Sequence, residues 1–144
     1  MKNIVFEKFD RGVFVVNVLG IVHDKKNKKI LIGKRKNDPY TKRLNWCFPG
    51  GRPAYKKNLE FYLKKEVKKK TSINIKVEKV LFAKTRPENR KILSIYYLCE
   101  PLSRKIKAGE KFVDAKWVNP AEVLKYFKLS TSIHPFISKL LKAM

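Results

Sequence analysis

One glutamate stands among lysines in the part of the chain where side chains are best spaced to act together. Glu66, Lys69 and Lys70 are three and four residues apart, so on a helix they would be neighbours. Lysine is a point-charge partner for phosphate, whereas a divalent metal needs several carboxylate oxygens gathered in one place. The charges of these three side chains sum to +1. They therefore favour phosphate binding by Lys69 and Lys70 over metal binding by Glu66.

A simpler interpretation of these charged residues is that they only face solvent. Charge runs on helices usually form a solvated face, and Glu66 would then be paired with Lys69 or Lys70. Lys57 and Lys65 would belong to that face. In the phosphate interpretation, the same two lysines add to the positive field from the preceding loop and from the helix. The spacing is compatible with both interpretations.

A helix must position these side chains, and the sequence predicts one from Asn58 to Lys70. Asn58 can cap its start, and Thr71 and Ser72 offer a polar stop before a strand that opens at Ile73. Apolar residues recur in it at steps of three and four, which predicts one buried stripe: Leu59, Tyr62, Leu63 and Val67.

A glycine turn precedes this helix. Residues 46–51 read Trp-Cys-Phe-Pro-Gly-Gly, which predicts a short aromatic strand that Pro49 ends. The turn that follows, at Gly50 and Gly51, is one that glycine makes easily.

The remaining elements alternate strands and helices within one domain, residues 1–144. Two hairpins are predicted, each with a polar turn, and a loop rich in turn residues spans Asn37–Thr41. A further strand and two helices follow, the first helix starting at Asn119-Pro120 and the second capped by Ser130 or Ser132. The predicted segments are strands Gly12–His23 and Lys29–Gly33, turn Asp24–Lys28, strands Ile75–Ala83 and Ile92–Cys99, turn Lys84–Lys91 with Pro87 and Asn89, strand Phe112–Val118, and helices ending near Phe127 and Leu141.

Charge is the unusual bulk property of the chain. Its 35 Lys and Arg against 12 Asp and Glu leave a net charge of +23, while 44% hydrophobic residues indicate a folded protein. A field of this sign attracts polyanions, so we expect nucleic acid, with RNA favoured, or a nucleotide as partner. A membrane is not expected as a partner, because no basic amphipathic segment presents a Trp or Phe face. The oligomeric state is left open.

Cysteine usage bears on the compartment. Cys47 and Cys99 are too few and too far apart for a disulfide framework or a four-ligand zinc site. We expect two core thiols in a reducing environment. The segment Met1–Asp10 alternates charged with apolar residues and lacks the apolar stretch of a signal peptide. The expected location is therefore the cytoplasm.

From about Gly12 to Phe127, the order of two strands, WxxPGG turn, helix and further strands resembles the Nudix hydrolase family. The resemblance implies an α/β fold, a Nudix-like α/β/α sandwich with a mixed β-sheet. The signature box of that family would run from Gly51 to Ile73. Its opening glycine, first helical glutamate and two aliphatic positions are matched by Gly51, Glu66, Val67 and Ile73.

The departures from the box fall on its chemistry. Lysines replace its first glutamate, its arginine and its paired glutamates, and a serine replaces its last glycine; these residues are Lys57, Lys65, Lys69, Lys70 and Ser72. In the family, the helical glutamates hold Mg²⁺ or Mn²⁺ on a diphosphate. A divalent ion about 4 Å from one ammonium is repelled by roughly 8 kcal/mol at an effective dielectric near 20. We therefore expect no metal cofactor and loss of the usual hydrolysis.

The resemblance also indicates how activity would survive. Glu66 would be the catalytic and metal-binding residue, helped by Glu110 or Asp114, which lie where some relatives supply a further carboxylate, with Mg or Mn as cofactor. Arg35, after a predicted strand, stands where relatives often carry a basic residue near the substrate phosphates; its alternative role is a solvated edge charge. Three aromatic residues are candidates for stacking on a base, although aromatic residues in such places are more often packing elements: Tyr40, Tyr55 and Phe61.

Three functions follow from these observations. The first is a binding domain that holds a phosphorylated nucleotide or RNA in a basic cleft without catalysis. The second is an active metal-dependent hydrolase that cleaves a nucleoside diphosphate linked to another group. The third is a structural subunit of a ribonucleoprotein particle, which shares the charge argument but requires no ligand in the cleft.

Overall fold

The computed structural model describes residues 12–36, 46–86, 89–127 and 134–144, with the side chains of 134–136 excepted. Ten elements follow in chain order: β1 (Val15–Asp24), β2 (Lys29–Arg35), β3 (Trp46–Cys47), β4 (Gly50–Gly51), α1 (Leu59–Thr71), β5 (Ile75–Arg86), β6 (Asn89–Pro101), β7 (Phe112–Val118), α2 (Pro120–Tyr126) and α3 (His134–Lys142).

The strands form a mixed sheet. Its path runs β3-β2-β1-β6-β5, with β4 paired to β1 and β7 paired to β2. β1 and β6 are parallel over Val15–Val22, while β2 pairs antiparallel with β7, and β5 with β6. Parallel strands need a long crossover connection, and α1 lies in the connection between β1 and β6. The expected α/β fold with a mixed sheet is confirmed.

Two apolar cores cover the two faces of the sheet. Alternate residues of one strand point to opposite faces, and in β1 Ile21 enters one core while Val22 enters the other. The Val22 core packs Leu63 and Val67 of α1. The Ile21 core packs residues of α2 and α3, Val123 among them. The layers are thus helix α1, sheet, and helices α2 and α3, as a sandwich requires.

Helix α1 begins and ends as its sequence predicts, with one residue more at its end. The Asn58 side chain accepts a hydrogen bond from the Phe61 backbone N–H at 2.7 Å. At the other end Ser72 takes a left-handed conformation, φ 65°, and its N–H donates to the Lys68 carbonyl at 2.8 Å. Glycine is the usual residue in that conformation. Ser72 therefore carries a backbone cost that the glycine of the box would avoid.

Both predicted hairpins are present, and the second is longer than its sequence indicates. The prediction of a turn over Lys84–Lys91 is wrong, because most of that segment pairs as strand: Lys84 opposite Ser94, and Arg86 opposite Asn89. Ladder hydrogen bonding there outweighs the polar composition. The first turn is confirmed, with the Asp24 carboxylate accepting from Asn27.

Several predictions fall outside the described residues. They concern the segment Met1–Asp10, the loop Asn37–Thr41 with Tyr40, Pro87, and the caps Ser130 and Ser132. Within the described ranges, no helix has both the length and the apolar character needed to cross a bilayer.

Candidate functional site

Lys70 turns inward from the last turn of α1. Its Nζ donates a hydrogen bond to the Gly50 carbonyl oxygen and lies 5.8 Å from the centre of the Phe112 ring. Gly50 is buried, and a Cβ on it would overlap the Val18 carbonyl oxygen of β1. The glycine turn is therefore held between β1 and the end of α1.

Titratable groups from four segments act electrostatically on the Lys70 ammonium. Burial lowers the pKa of Lys70, Glu66 raises it, and Arg35 and Lys111 lower it, with Cys47 acting to raise it. These groups lie on α1, at the end of β2, in β3, and just before β7. The Lys36 N–H donates to the Lys111 carbonyl at 3.0 Å, which holds the end of β2 beside Lys111. Arg35, Lys111 and the Glu66 carboxylate thus lie within electrostatic range of the Lys70 ammonium.

Tyr62 and Glu66 complete the helical side of the site. Burial and a hydrogen bond to Glu66 both raise the pKa of Tyr62, so its hydroxyl stays protonated as a donor. A Cβ on Gly51 would lie 2.5 Å from the Tyr62 hydroxyl oxygen and 3.6 Å from Lys70 Nζ. Tyr62, Glu66 and Lys70 are four residues apart, so they form one stripe of α1 against the Gly50–Gly51 turn.

The predicted pair of Lys69 and Lys70 is split by the structure. Lys70 is half-buried in the site, whereas Lys69 is exposed. Lys57 and Lys65 are exposed as well, and Lys57 Nζ lies 4.8 Å from the centre of the Phe61 ring. These three lysines thus face solvent, and of the four only Lys70 bonds to the glycine turn.

Asp114 lies on the other face of the sheet. Cross-strand partners point to the same face of a sheet, as do alternate residues of one strand. Val118 pairs with Ile30, and both lie in the core that α2 and α3 cover. Asp114, four residues before Val118 and paired with Lys34, points to that same face. Its carboxylate accepts from the Ala115 N–H at 2.8 Å. The structure does not bring Asp114 to Glu66.

Glu110 is exposed at a positive φ of 55°, and its neighbour Lys111 is the residue that acts on Lys70. Throughout the described ranges, no group of three His, Cys, Asp or Glu side chains is placed to hold a metal ion. At the site itself, Glu66 acts electrostatically on the Lys70 ammonium, which donates a hydrogen bond to the Gly50 carbonyl oxygen. This donor set does not fit Mg²⁺, because its single carboxylate acts on an ammonium group that already holds the neighbouring carbonyl oxygen.

Among the other predicted phosphate contacts, Arg35 is the one that acts electrostatically on Lys70. The sequence interpretation missed Lys111, Cys47 and Tyr62. Tyr62 counted only as an apolar residue of the stripe, and Cys47, expected in the core, is half-buried. Lys111 joins the site only through the pairing of β2 with β7, which no local pattern indicates.

Comparisons with known proteins agree on the fold. The model of the NUDIX domain family matches residues 13–141. A NUDIX hydrolase structure from Nitrosomonas europaea superposes with a TM-score of 0.73 at 15% identity, covering 88% of this chain and 69% of that one. No curated protein matches the sequence.

Two further structures cover most of both chains. The MutT protein from Methanosarcina mazei gives a TM-score of 0.69 at 17% identity, with 91% of this chain and 95% of that one covered. An ADP-ribose pyrophosphatase from Streptococcus suis gives 0.65 at 16% identity, with 89% and 90% covered. At these identities the likeness concerns the fold.

Proposed function

Since this chain belongs to the NUDIX domain family, we propose that it binds the phosphates of a nucleotide, or of RNA, around Lys70 without a divalent metal and without hydrolysis. One observation carries the proposal: the half-buried Lys70 ammonium, bonded to the glycine turn, lies within electrostatic range of two further cations, Arg35 and Lys111, and of one helical carboxylate, Glu66. The charges of these four side chains sum to +2, which complements the negative charge of a diphosphate.

The side chains differ in what they offer a phosphate. Arg35 has a planar fork that matches two phosphate oxygens, whereas Lys70 and Lys111 act as point charges. The protonated Tyr62 hydroxyl lies on the same side of the turn and is hydrogen-bonded to Glu66, so it positions that carboxylate. Because Lys70 is half-buried, its charge is screened less than that of the exposed lysines of α1. A phosphate is therefore expected at Lys70 rather than at Lys57, Lys65 or Lys69.

Binding titrations test this proposal. ADP-ribose is a suitable nucleoside diphosphate probe, because a structurally similar protein is an ADP-ribose pyrophosphatase; a 5′-triphosphorylated RNA serves as the second ligand. The protein is freed of nucleic acid in high salt and titrated in EDTA and in Mg²⁺. We expect saturable binding of equal affinity in both.

Matched variants locate the site. Arg35→Gln and Lys111→Gln should each weaken binding about tenfold or more, since each removes a charged hydrogen-bond donor. Arg90→Gln and Lys68→Gln remove the same charges from exposed positions outside the site and should leave binding nearly unchanged. Equal losses in all four variants would show general attraction to the basic surface and would contradict the proposed site.

Metal-dependent hydrolysis is the competing function. Glu66 favours metal-dependent hydrolysis, because it is the box glutamate that this chain retains on α1, where it is hydrogen-bonded to Tyr62. It needs further carboxylates, and Glu110 follows Gly109, whose N–H donates to the Lys70 carbonyl at 3.0 Å. Turnover of ADP-ribose that requires Mg²⁺ or Mn²⁺ and disappears in Glu66→Gln would establish this function in place of the proposed one.

A role as a structural subunit of a ribonucleoprotein particle rests on the net charge of +23 alone. It predicts that the chain stays with an intact particle during isolation whether or not Arg35 and Lys111 are replaced. The proposed function predicts that ligand binding depends on both residues.

A further inference from the structure

We infer that Lys70 is a built-in cation: its ammonium group ties the Gly50–Gly51 turn to α1 as a bound metal ion would, and only its replacement by a carboxylate opens this place to a divalent metal. The inference concerns the protein without ligand. It therefore stands or falls independently of nucleotide binding.

The partners of the Lys70 ammonium are oxygens that a metal would also use. Its Nζ donates to the Gly50 carbonyl oxygen, and the Glu66 carboxylate, one turn earlier on the helix, is the negative charge that acts on it. Carbonyl and carboxylate oxygens are the ligands that Mg²⁺ and Mn²⁺ prefer. An ammonium group and a divalent ion would therefore compete for the same place, and the ammonium is covalently attached.

The glycine turn is packed closely between β1 and α1. A Cβ on Gly50 would overlap the backbone of Val18, and a Cβ on Gly51 would lie 2.5 Å from the Tyr62 hydroxyl oxygen at the tip of its side chain. The Gly20 N–H of β1 also donates to the Pro49 carbonyl at 2.8 Å. Lys70 thus closes the turn from the helical side while β1 holds it from the other.

Two substitutions would convert the place into a metal site. Lys69→Glu with Lys70→Glu would put carboxylates at 66, 69 and 70, which are neighbours on one helical turn, beside the released Gly50 oxygen. Lys64→Glu with Lys68→Glu is the matched control, because it makes the same charge change at exposed positions of the same helix.

Binding of Mn²⁺ is measured by electron paramagnetic resonance and by its effect on the melting temperature. The Lys69→Glu/Lys70→Glu protein should bind one Mn²⁺ at least tenfold more tightly than the control and melt higher with Mn²⁺ present. Adding Glu66→Gln should weaken that binding at least tenfold. The unaltered protein should show neither saturable binding nor a Mn²⁺-dependent melting temperature.

Equal Mn²⁺ affinity in the Lys69→Glu/Lys70→Glu protein and its control would overturn the inference, as would tight Mn²⁺ binding by the unaltered protein. A second measurement needs no variant. In nuclear magnetic resonance spectra of the unaltered protein, the Lys70 ammonium protons should exchange with water at least tenfold more slowly than those of Lys69. Equal exchange rates would show that the bond to Gly50 is absent, and would also overturn the inference.

Discussion

At the scale of single residues, Lys69 and Lys70 show how the surroundings decide what a side chain does. They are identical and adjacent, yet Lys69 is exposed while Lys70 reaches the Gly50 oxygen. Successive residues of a helix point in directions about 100° apart. The sequence predicts that both lie on α1 near Glu66. It does not show which one enters the site, because that depends on where the glycine turn lies against the helix.

Ser72 supports a stability prediction. Its φ of 65° is costly for serine and free for glycine, but its hydroxyl also donates to the Lys107 carbonyl at 3.1 Å. Ser72→Gly should raise the free energy of unfolding by about 0.5 kcal/mol, the balance of the backbone gain and the loss of an exposed hydrogen bond. Ser72→Ala keeps the strain and loses the bond, so it should destabilise. Denaturant unfolding measures both, and a Ser72→Gly protein less stable than Ser72→Ala would contradict this explanation.

His23 predicts a pH dependence of stability. Burial and the nearby Lys25 lower the pKa of His23 below its usual value of 6.5, with Glu78 opposing. The unfolded chain therefore takes up this proton first as the pH falls, so that acid favours unfolding. The free energy of unfolding should decrease from pH 7 to pH 5. His23→Gln should make that decrease smaller, and an unchanged slope in urea titrations would refute the assignment to His23.

At the scale of elements, α1 and β7 follow from sequence patterns, whereas the site they form does not. The apolar stripe of α1 and the cap at Asn58 define the helix, and the predicted strand Phe112–Val118 is confirmed. Lys111 reaches the site because β7 lies beside β2, a pairing between segments far apart in the chain. Local periodicity contains no information on such pairing.

The glycine turn supports a prediction at this scale. In Gly50→Ala the new Cβ would overlap the backbone of β1, so the free energy of unfolding should fall by about 2 kcal/mol or more. Gly20→Ala is the matched control, because its Cβ would meet only ordinary contacts at 3.5 Å and beyond. Thermal unfolding compares the two proteins. Equal stability would mean that the turn is not pressed on β1.

At the scale of the whole molecule, a net charge of +23 attracts polyanions whether or not they enter the proposed site. The proposed site contributes three cations to this field. The salt dependence of binding distinguishes binding at this site from general attraction to the basic surface. For a single-stranded RNA held by about three phosphate contacts, the logarithm of the association constant should fall with that of the salt concentration with a slope near −2. Arg35→Gln should reduce the slope by about 0.7. A much steeper slope that is the same in the unaltered protein and in Arg35→Gln would indicate binding across the whole surface.

The most direct test of a metal-free phosphate site compares Lys70→Gln with Lys68→Gln in a calorimetric titration with ADP-ribose in EDTA. Both variants lose one lysine of α1, but only Lys70 lies in the site. The unaltered protein and Lys68→Gln should bind with similar affinity, and Lys70→Gln should bind at least tenfold more weakly. No binding by the unaltered protein in EDTA, or equal affinity in the two variants, would contradict metal-free phosphate binding at Lys70.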